Sequence, residues 1–170
     1  CTRGTRLLAH WFNPGPAARV DPMLTSVVPY RDIPWAELGE GVEMKLLKRG
    51  LSDGVYTMIN RFAPGFVAPP HLHLGEVHAY TIEGLWHYLE YDWVAKAGDY
   101  VYEPPGSVHT LAVPADNTEP TVAIFTIAKG MELHDDEGNV FMTQDAEGMD
   151  MLYRAALETK GIEYPQQIVP

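Results

Sequence analysis

The chain has little cysteine, little positive charge and no long apolar run. Its 170 residues include one cysteine, Cys1, so no disulfide can form within the chain and stability must come from packing or a metal. No segment approaches the roughly 18 apolar residues that a membrane span requires, and no signal-peptide layout is visible. We therefore expect a cytoplasmic protein with no membrane partner.

Basic residues are too few for a nucleic-acid partner. The sequence has 12 Lys and Arg against 23 Asp and Glu, which gives a net charge of -11. Nucleic-acid phosphates attract a basic protein face and repel an acidic one. The charge therefore argues against nucleic acid as a ligand.

Glycine and proline, by contrast, are spread along the whole chain, with 15 and 14 copies. Short apolar or alternating runs lie between them, which is typical of many short strands joined by turns. The pattern predicts an all-β barrel over residues 25–145, after an N-terminal arm at 1–24 and before a C-terminal helix and tail at 146–170. Helical patterns occur only around PWAEL (34–38) and in DMLYRAALETKG (150–161), where Met151 and Leu152 belong to the predicted apolar face.

Two histidines have the spacing of metal ligands on a strand. His71 and His73 are two residues apart, so their imidazoles point to the same side of a strand and can converge on one ion. They follow Gly65 and precede Gly84, and a second set of residues follows in order: Gly98, Pro104-x-Gly106 and His109. These two motifs resemble those of the cupin family, which implies a small jelly-roll barrel in which His109 completes a three-histidine metal site.

One expected ligand is missing from its usual place. Val77 stands where the first cupin motif usually has Glu. If Glu83 and Gly84 form a two-residue hairpin turn, Val77 lies opposite Glu90, which could then supply the carboxylate. A bulge in the turn would move Glu90 to the other face, and Glu76 and His78 are rival candidates.

Two longer stretches of sequence resemble one particular group of cupins. Residues 83–113 (EGLWHYLEYDWVAKAGDYVYEPPGSVHTLAV) and 133–142 (LHDDEGNVFM) are similar to the 2,4'-dihydroxyacetophenone dioxygenases. These non-haem iron cupins use O2 to cleave an aryl hydroxymethyl ketone into an aromatic acid and formate. The resemblance implies that His71, His73 and His109 bind Fe(II) and that Glu90 is the essential strand glutamate, either as a ligand or beside the ligands.

Several alternatives stay open at this stage. Trp86 and Tyr88 either form an aromatic wall for an aryl substrate or pack in the core. Zn, Ni, Cu and Mn also accept imidazole ligands. A β-diketone-cleaving dioxygenase and a non-catalytic metal-binding sensor are therefore rival functions. Analogy with cupins of this size predicts a homodimer.

Overall fold

Three antiparallel sheets and one helix make up residues 25–170, the part of the chain that this computed structural model describes. The predicted N-terminal arm, residues 1–24, lies outside the described residues. The elements, in chain order, are β1 (Ala36–Gly39), β2 (Val42–Lys48), β3 (Val55–Phe62), β4 (His71–His73), β5 (Val77–Glu83), β6 (Leu85–Tyr88), β7 (Ala95–Lys96), β8 (Tyr100–Glu103), β9 (Val108–His109), β10 (Leu111–Ala112), β11 (Thr121–Ala128), β12 (Met131–His134), β13 (Val140–Gln144) and α1 (Ala146–Thr159).

The largest sheet has six strands in the order β1-β2-β3-β11-β5-β8. The other two sheets have the orders β10-β6-β7 and β13-β12-β4-β9. Apolar side chains from the six-stranded sheet and from β6 meet in one core, where the Phe125 ring of β11 lies 5.9 Å from the Trp86 ring of β6. The predicted all-β architecture with a C-terminal helix is confirmed.

Residue alternation along the strands places this core on one face of the six-stranded sheet. In β11, Ala123, Phe125 and Ile127 are buried, and the residues between them are half-buried. Side chains two residues apart point to the same face of a strand, so this alternation gives the sheet one buried face and one face that is more exposed to solvent. The same periodicity in β5 buries Val77 and Ala79.

The predicted hairpin at Glu83–Gly84 is wrong. Strand β5 pairs with β11 and β8, whereas β6 pairs with β10 and β7, so the chain changes sheets at Gly84 instead of folding back on itself. Gly84 has a φ of 72°, in the left-handed region that favours glycine. Leu85 fixes the corner, because its N–H donates to Thr121 Oγ1 and its carbonyl accepts from the same hydroxyl at 2.7 Å.

Replacing Gly84 with alanine is expected to destabilise the fold strongly. An added Cβ would lie 2.7 Å from Thr121 Oγ1 and 2.9 Å from Thr121 Cα, in addition to the strain of the left-handed backbone. We expect a loss of about 3 kcal/mol in the free energy of unfolding, measured by urea denaturation. Gly54→Ala is the matched control, since Gly54 has a φ of 70° and open space around it, and it should cost only about 1 kcal/mol. Equal losses for the two variants would contradict the predicted contact with Thr121.

The helix predicted around PWAEL is also wrong. Residues 36–39 form β1, in which Ala36 pairs with Met44 and is fully buried. Five residues that begin with proline can form little more than one helical turn, so the ladder with β2 determines their conformation. A tertiary contact overrides the local pattern here.

The C-terminal helix begins earlier than predicted and buries another face. The Asp145 side chain caps it by accepting from the Gly148 N–H at 2.8 Å, so the helix starts at Ala146. Met149, Tyr153 and Leu157, spaced four residues apart, are buried, whereas Met151, from the predicted apolar face, is exposed. Within residues 25–170, no helix is long and apolar enough to cross a membrane.

Candidate metal centre

Two neighbouring strands bring three histidines together. His71 and His73 are at the two ends of β4, and His109 of β9 lies directly across from His71 in the antiparallel ladder. The three ring centroids are 4.8 to 5.0 Å apart, and one nitrogen from each ring lies within 4.8 Å of the others. All three side chains are buried. The arrangement could bind one metal ion.

His71 is held in a tautomer that suits a ligand. Its Nδ1 lies 3.0 Å from the carbonyl of Pro69, and donation to that oxygen leaves Nε2 with a free lone pair. Metal-binding histidines are commonly oriented in this way through their second nitrogen. Burial lowers the pKa of His71 to about 4, so the imidazole is neutral at neutral pH.

The carboxylate beside the histidines is Glu103, which sequence reasoning missed. Glu103 ends β8, is 2% exposed, and places Oε2 2.8 Å from His73 Nε2 and 3.2 Å from His109 Nε2. Burial alone would raise the pKa of Glu103, but the imidazoles of His109 and His73 lower it to about 2. The cluster therefore holds the ionised carboxylate of Glu103 and the neutral imidazole of His71.

Several polar atoms of this cluster are buried without a well-aligned hydrogen bond, although Glu103 Oε2 lies close to two of the ring nitrogens. They are His73 Nδ1 and Nε2, His109 Nε2, and both carboxylate oxygens of Glu103. Buried polar groups in folded proteins are nearly always satisfied, so a group of orphaned atoms needs an explanation. A cation bound between the ring nitrogens and the carboxylate would satisfy those that converge on it, and the donor set suits Fe, Zn, Ni, Cu and Mn. The residues present therefore fit a metal ion.

Glu90 does not lie where the hairpin argument placed it. Because β5 and β6 belong to different sheets, Val77 pairs with Glu103 on one side and with Ile127 on the other, and the predicted pairing of Val77 with Glu90 is wrong. Glu90 is exposed, and its Oε2 accepts a hydrogen bond from the Thr110 N–H at 2.9 Å. Burial acts to raise the pKa of Glu90, but the hydrogen bonds from Thr110 outweigh it and lower the pKa. A functional role for Glu90 stays a prediction.

The two predicted aromatic residues are fully inside the barrel. The Tyr88 ring stacks on the His109 ring with centroids 3.6 Å apart and an angle of 16° between the planes. Trp86 lies behind Tyr88 and donates from Nε1 to Thr81 Oγ1 at 2.9 Å. Burial and the nearby Glu103 raise the pKa of Tyr88 well above its ordinary value. Tyr88 supports a candidate ligand, and substrate contact by either residue stays a prediction.

The rival residues are on the outside. Glu76 and His78 are both exposed and lie 3.6 Å apart, between His78 Nε2 and Glu76 Oε1. One signal in the sequence could have found Glu103 instead. Glu103 is the charged residue that ends the run YVYE just before Pro104, and a strand there must pair with a neighbouring strand of the barrel.

Comparison with known proteins decides the family. Residues 25–132, more than half of the chain, match the family model described as the ChrR Cupin-like domain. The chain belongs to the ChrR cupin-like domain family. The predicted cupin fold is therefore confirmed, whereas the finer resemblance to the dihydroxyacetophenone dioxygenases stays a prediction.

Solved structures share the fold of this cupin-like domain. An RmlC-like cupin protein from Ralstonia eutropha JMP134 is 26% identical, with a TM-score of 0.78 over 86% of this chain and 94% of that chain. A protein of unknown function with a cupin-like fold from the same organism is 30% identical, with a TM-score of 0.70 over 86% and 98%. An acetylacetone dioxygenase from Acinetobacter johnsonii is 17% identical, with a TM-score of 0.71 over 82% and 98%, a likeness that shows the fold alone. Comparison with curated proteins gave no significant match.

Proposed function

We propose that this cupin-like domain is a non-haem iron dioxygenase that acts on an aryl α-hydroxyketone such as 2,4'-dihydroxyacetophenone. One O2 is consumed, the bond between the carbonyl and hydroxymethyl carbons breaks, and the products are an aromatic carboxylic acid and formate. Both oxygen atoms of O2 enter the products, so no outside reductant is needed. The two substrates are the aromatic ketone and O2. A homodimer stays the predicted assembly.

The buried group of three imidazoles and one carboxylate carries this proposal. Its orphaned nitrogen and oxygen atoms fit a metal ion, and Fe(II), when bound, would supply the redox chemistry for reaction with O2. The sequence resemblance over residues 83–113 supports the choice of substrate class. Zn, Ni, Cu or Mn would fit the same donors.

The position of each side chain suggests its role at the metal site. His71, His73 and His109 would hold the metal through ring nitrogens, with Tyr88 packed flat on His109 to fix its plane. Glu103 faces the same nitrogens, so its carboxylate is placed to neutralise part of the metal charge. The barrel interior around them excludes bulk water, because all four side chains are buried.

One observation favours a second function, a metal-binding sensor without catalysis. The side chains of His73, His109 and Glu103 are 3%, 1% and 2% exposed, which leaves little room for a substrate beside them. A closed site of this kind suits an ion that is held permanently. The sensor and the dioxygenase differ in whether O2 is consumed.

Oxygen-electrode traces test the proposed function directly. Protein reconstituted anaerobically with Fe(II) is expected to consume one O2 per 2,4'-dihydroxyacetophenone and to release 4-hydroxybenzoate and formate in equal amounts. The matched compound 4'-hydroxyacetophenone lacks the α-hydroxyl group and should give no uptake. Acetylacetone tests the β-diketone alternative in the same assay.

Metal analysis of the same sample makes the result decisive. If iron is fully loaded and none of the ketones causes O2 uptake, the dioxygenase proposal is wrong and the sensor is favoured. Uptake with acetylacetone alone would replace the aryl ketone with a β-diketone.

A further inference from the structure

The loop between β6 and β7 exposes several apolar and aromatic side chains. Four of its six residues, Leu89, Tyr91, Trp93 and Val94, are 58%, 45%, 38% and 43% exposed. We call residues 89–94 the aromatic loop. Contiguous apolar groups on the surface of a soluble protein mark a binding site more often than chance.

This aromatic loop lies beside the candidate metal centre. The Tyr91 ring is 6.5 Å from the His109 ring and 6.1 Å from the Tyr88 ring, and Tyr88 itself stacks on His109. Trp93 lies 5.4 Å from Tyr88 and stacks on Tyr91, with centroids 5.7 Å apart and planes 15° apart. A continuous set of aromatic rings therefore runs from the ligand His109 to the protein surface.

Hydrogen bonds fix the base of the aromatic loop to the residue that follows His109. The Leu89 N–H donates to the Thr110 carbonyl at 3.0 Å, and the Thr110 N–H donates to the Glu90 carboxylate at 2.9 Å. Glu90 thus satisfies a backbone group one residue from a candidate ligand. This contact requires an acceptor oxygen on the Glu90 side chain and does not require Glu90 to gain or lose a proton.

We propose that the aromatic loop recognises the aryl ring of the substrate, with Tyr91 and Trp93 in contact with the ring and Glu90 as a positioning residue. This inference rests on the proposed function. Tyr91 and Trp93 are half-exposed, so they retain ring surface for a ligand, whereas Trp86 and Tyr88 are 0% and 2% exposed. An aromatic ligand gains from stacked or edge contacts with such rings, and an aliphatic ketone of similar polarity does not.

Calorimetric titration of the full chain with 4'-hydroxyacetophenone tests ring recognition apart from catalysis. In the double variant Tyr91→Ala/Trp93→Ala, we expect the Kd to rise about 30-fold, since two aromatic contacts with the ring of the ligand are lost. Tyr80→Ala is the matched control, because Tyr80 is 47% exposed on β5, outside the aromatic loop. It should leave the Kd within about twofold of wild type.

Two Glu90 variants test the positioning role. Glu90→Gln keeps an oxygen that can accept from the Thr110 N–H and should bind 4'-hydroxyacetophenone like wild type, whereas Glu90→Ala should bind it several-fold more weakly. Rescue by glutamine supports positioning through the hydrogen bond. Equal loss in both variants would overturn it, because only the charge distinguishes glutamate from glutamine here.

The outcomes separate this inference from the proposed function. If the double variant loses ligand affinity while the Fe(II)-loaded wild type shows no O2 uptake, the aromatic loop proposal stands and the dioxygenase falls. If O2 uptake occurs but the Kd and KM of the double variant match wild type, only the loop proposal is overturned. An unchanged Kd with a smaller assembly in sedimentation would also overturn it and assign the loop to a subunit contact.

Discussion

The variant His73→Gln is expected to lose almost all bound metal. His73 is one of two candidate ligands on β4, is 2% exposed, and makes no well-aligned hydrogen bond through either ring nitrogen. Glutamine is close to histidine in volume but offers a weak carbonyl ligand, so a three-imidazole site becomes a two-imidazole site. We expect metal content, measured by mass spectrometry of the purified protein, to fall to about a tenth of the wild-type value or less.

His78→Gln is the control for this experiment. His78 lies on exposed β5 surface next to Glu76, so its replacement should leave metal content unchanged. Comparable circular dichroism spectra would show that both variants fold. Full metal occupancy in His73→Gln would show that the three-histidine cluster is not the binding site.

The variant Glu103→Gln is expected to weaken metal binding while leaving the metal-free fold intact. Its carboxylate lies within 3.2 Å of two candidate ligand nitrogens and is buried without a well-aligned hydrogen bond. Removing the charge should lower the metal affinity by about 10- to 100-fold in competition with a chelator. The metal-free protein should still fold but melt at a lower temperature, because burial is outweighed by the imidazoles of His109 and His73, which lower the pKa of Glu103 to about 2 and stabilise its ionised form in the folded state.

Glu90→Gln separates the two glutamates. Since Glu90 is exposed and bonded to Thr110, the change should leave chelator competition unchanged. A loss of affinity in Glu90→Gln with none in Glu103→Gln would reverse our assignment and restore Glu90 as the carboxylate of the metal site.

Local patterns were enough to predict many of the strands and to identify the three histidines, although the predicted strand LWHYLEYDWV (85–94) ends at Tyr88. The spacing of His71 and His73 needs only the two-residue period of a strand, and the predicted runs at 42–48, 54–63 and 121–128 contain β2, β3 and β11. Short segments were less predictable. Residues 36–39 became a strand because β2 lies beside them, and no property of the five residues PWAEL contains that information.

The carboxylate could not be predicted because its position depends on which strands pair. Hairpin counting assumes that consecutive strands are neighbours, and β5 and β6 are consecutive. Gly84 instead turns the chain into another sheet, so the neighbour of Val77 comes from β8, 26 residues further along the chain. Pairing of this kind is a tertiary property, and a one-residue error in register would place Glu103 on the other face.

The pairing of Val77 with Glu103 also affects how such proteins are classified. A search pattern that demands an acidic residue within the first motif would discard this chain, although Glu103 lies beside His73 and His109 on the adjoining strand, directly opposite Val77. A structural template that accepts an acidic residue at either of two paired strand positions would retain this chain. In other cupins with an apolar residue at the position of Val77, the neighbouring strand should therefore be checked for a carboxylate before a metal site is ruled out.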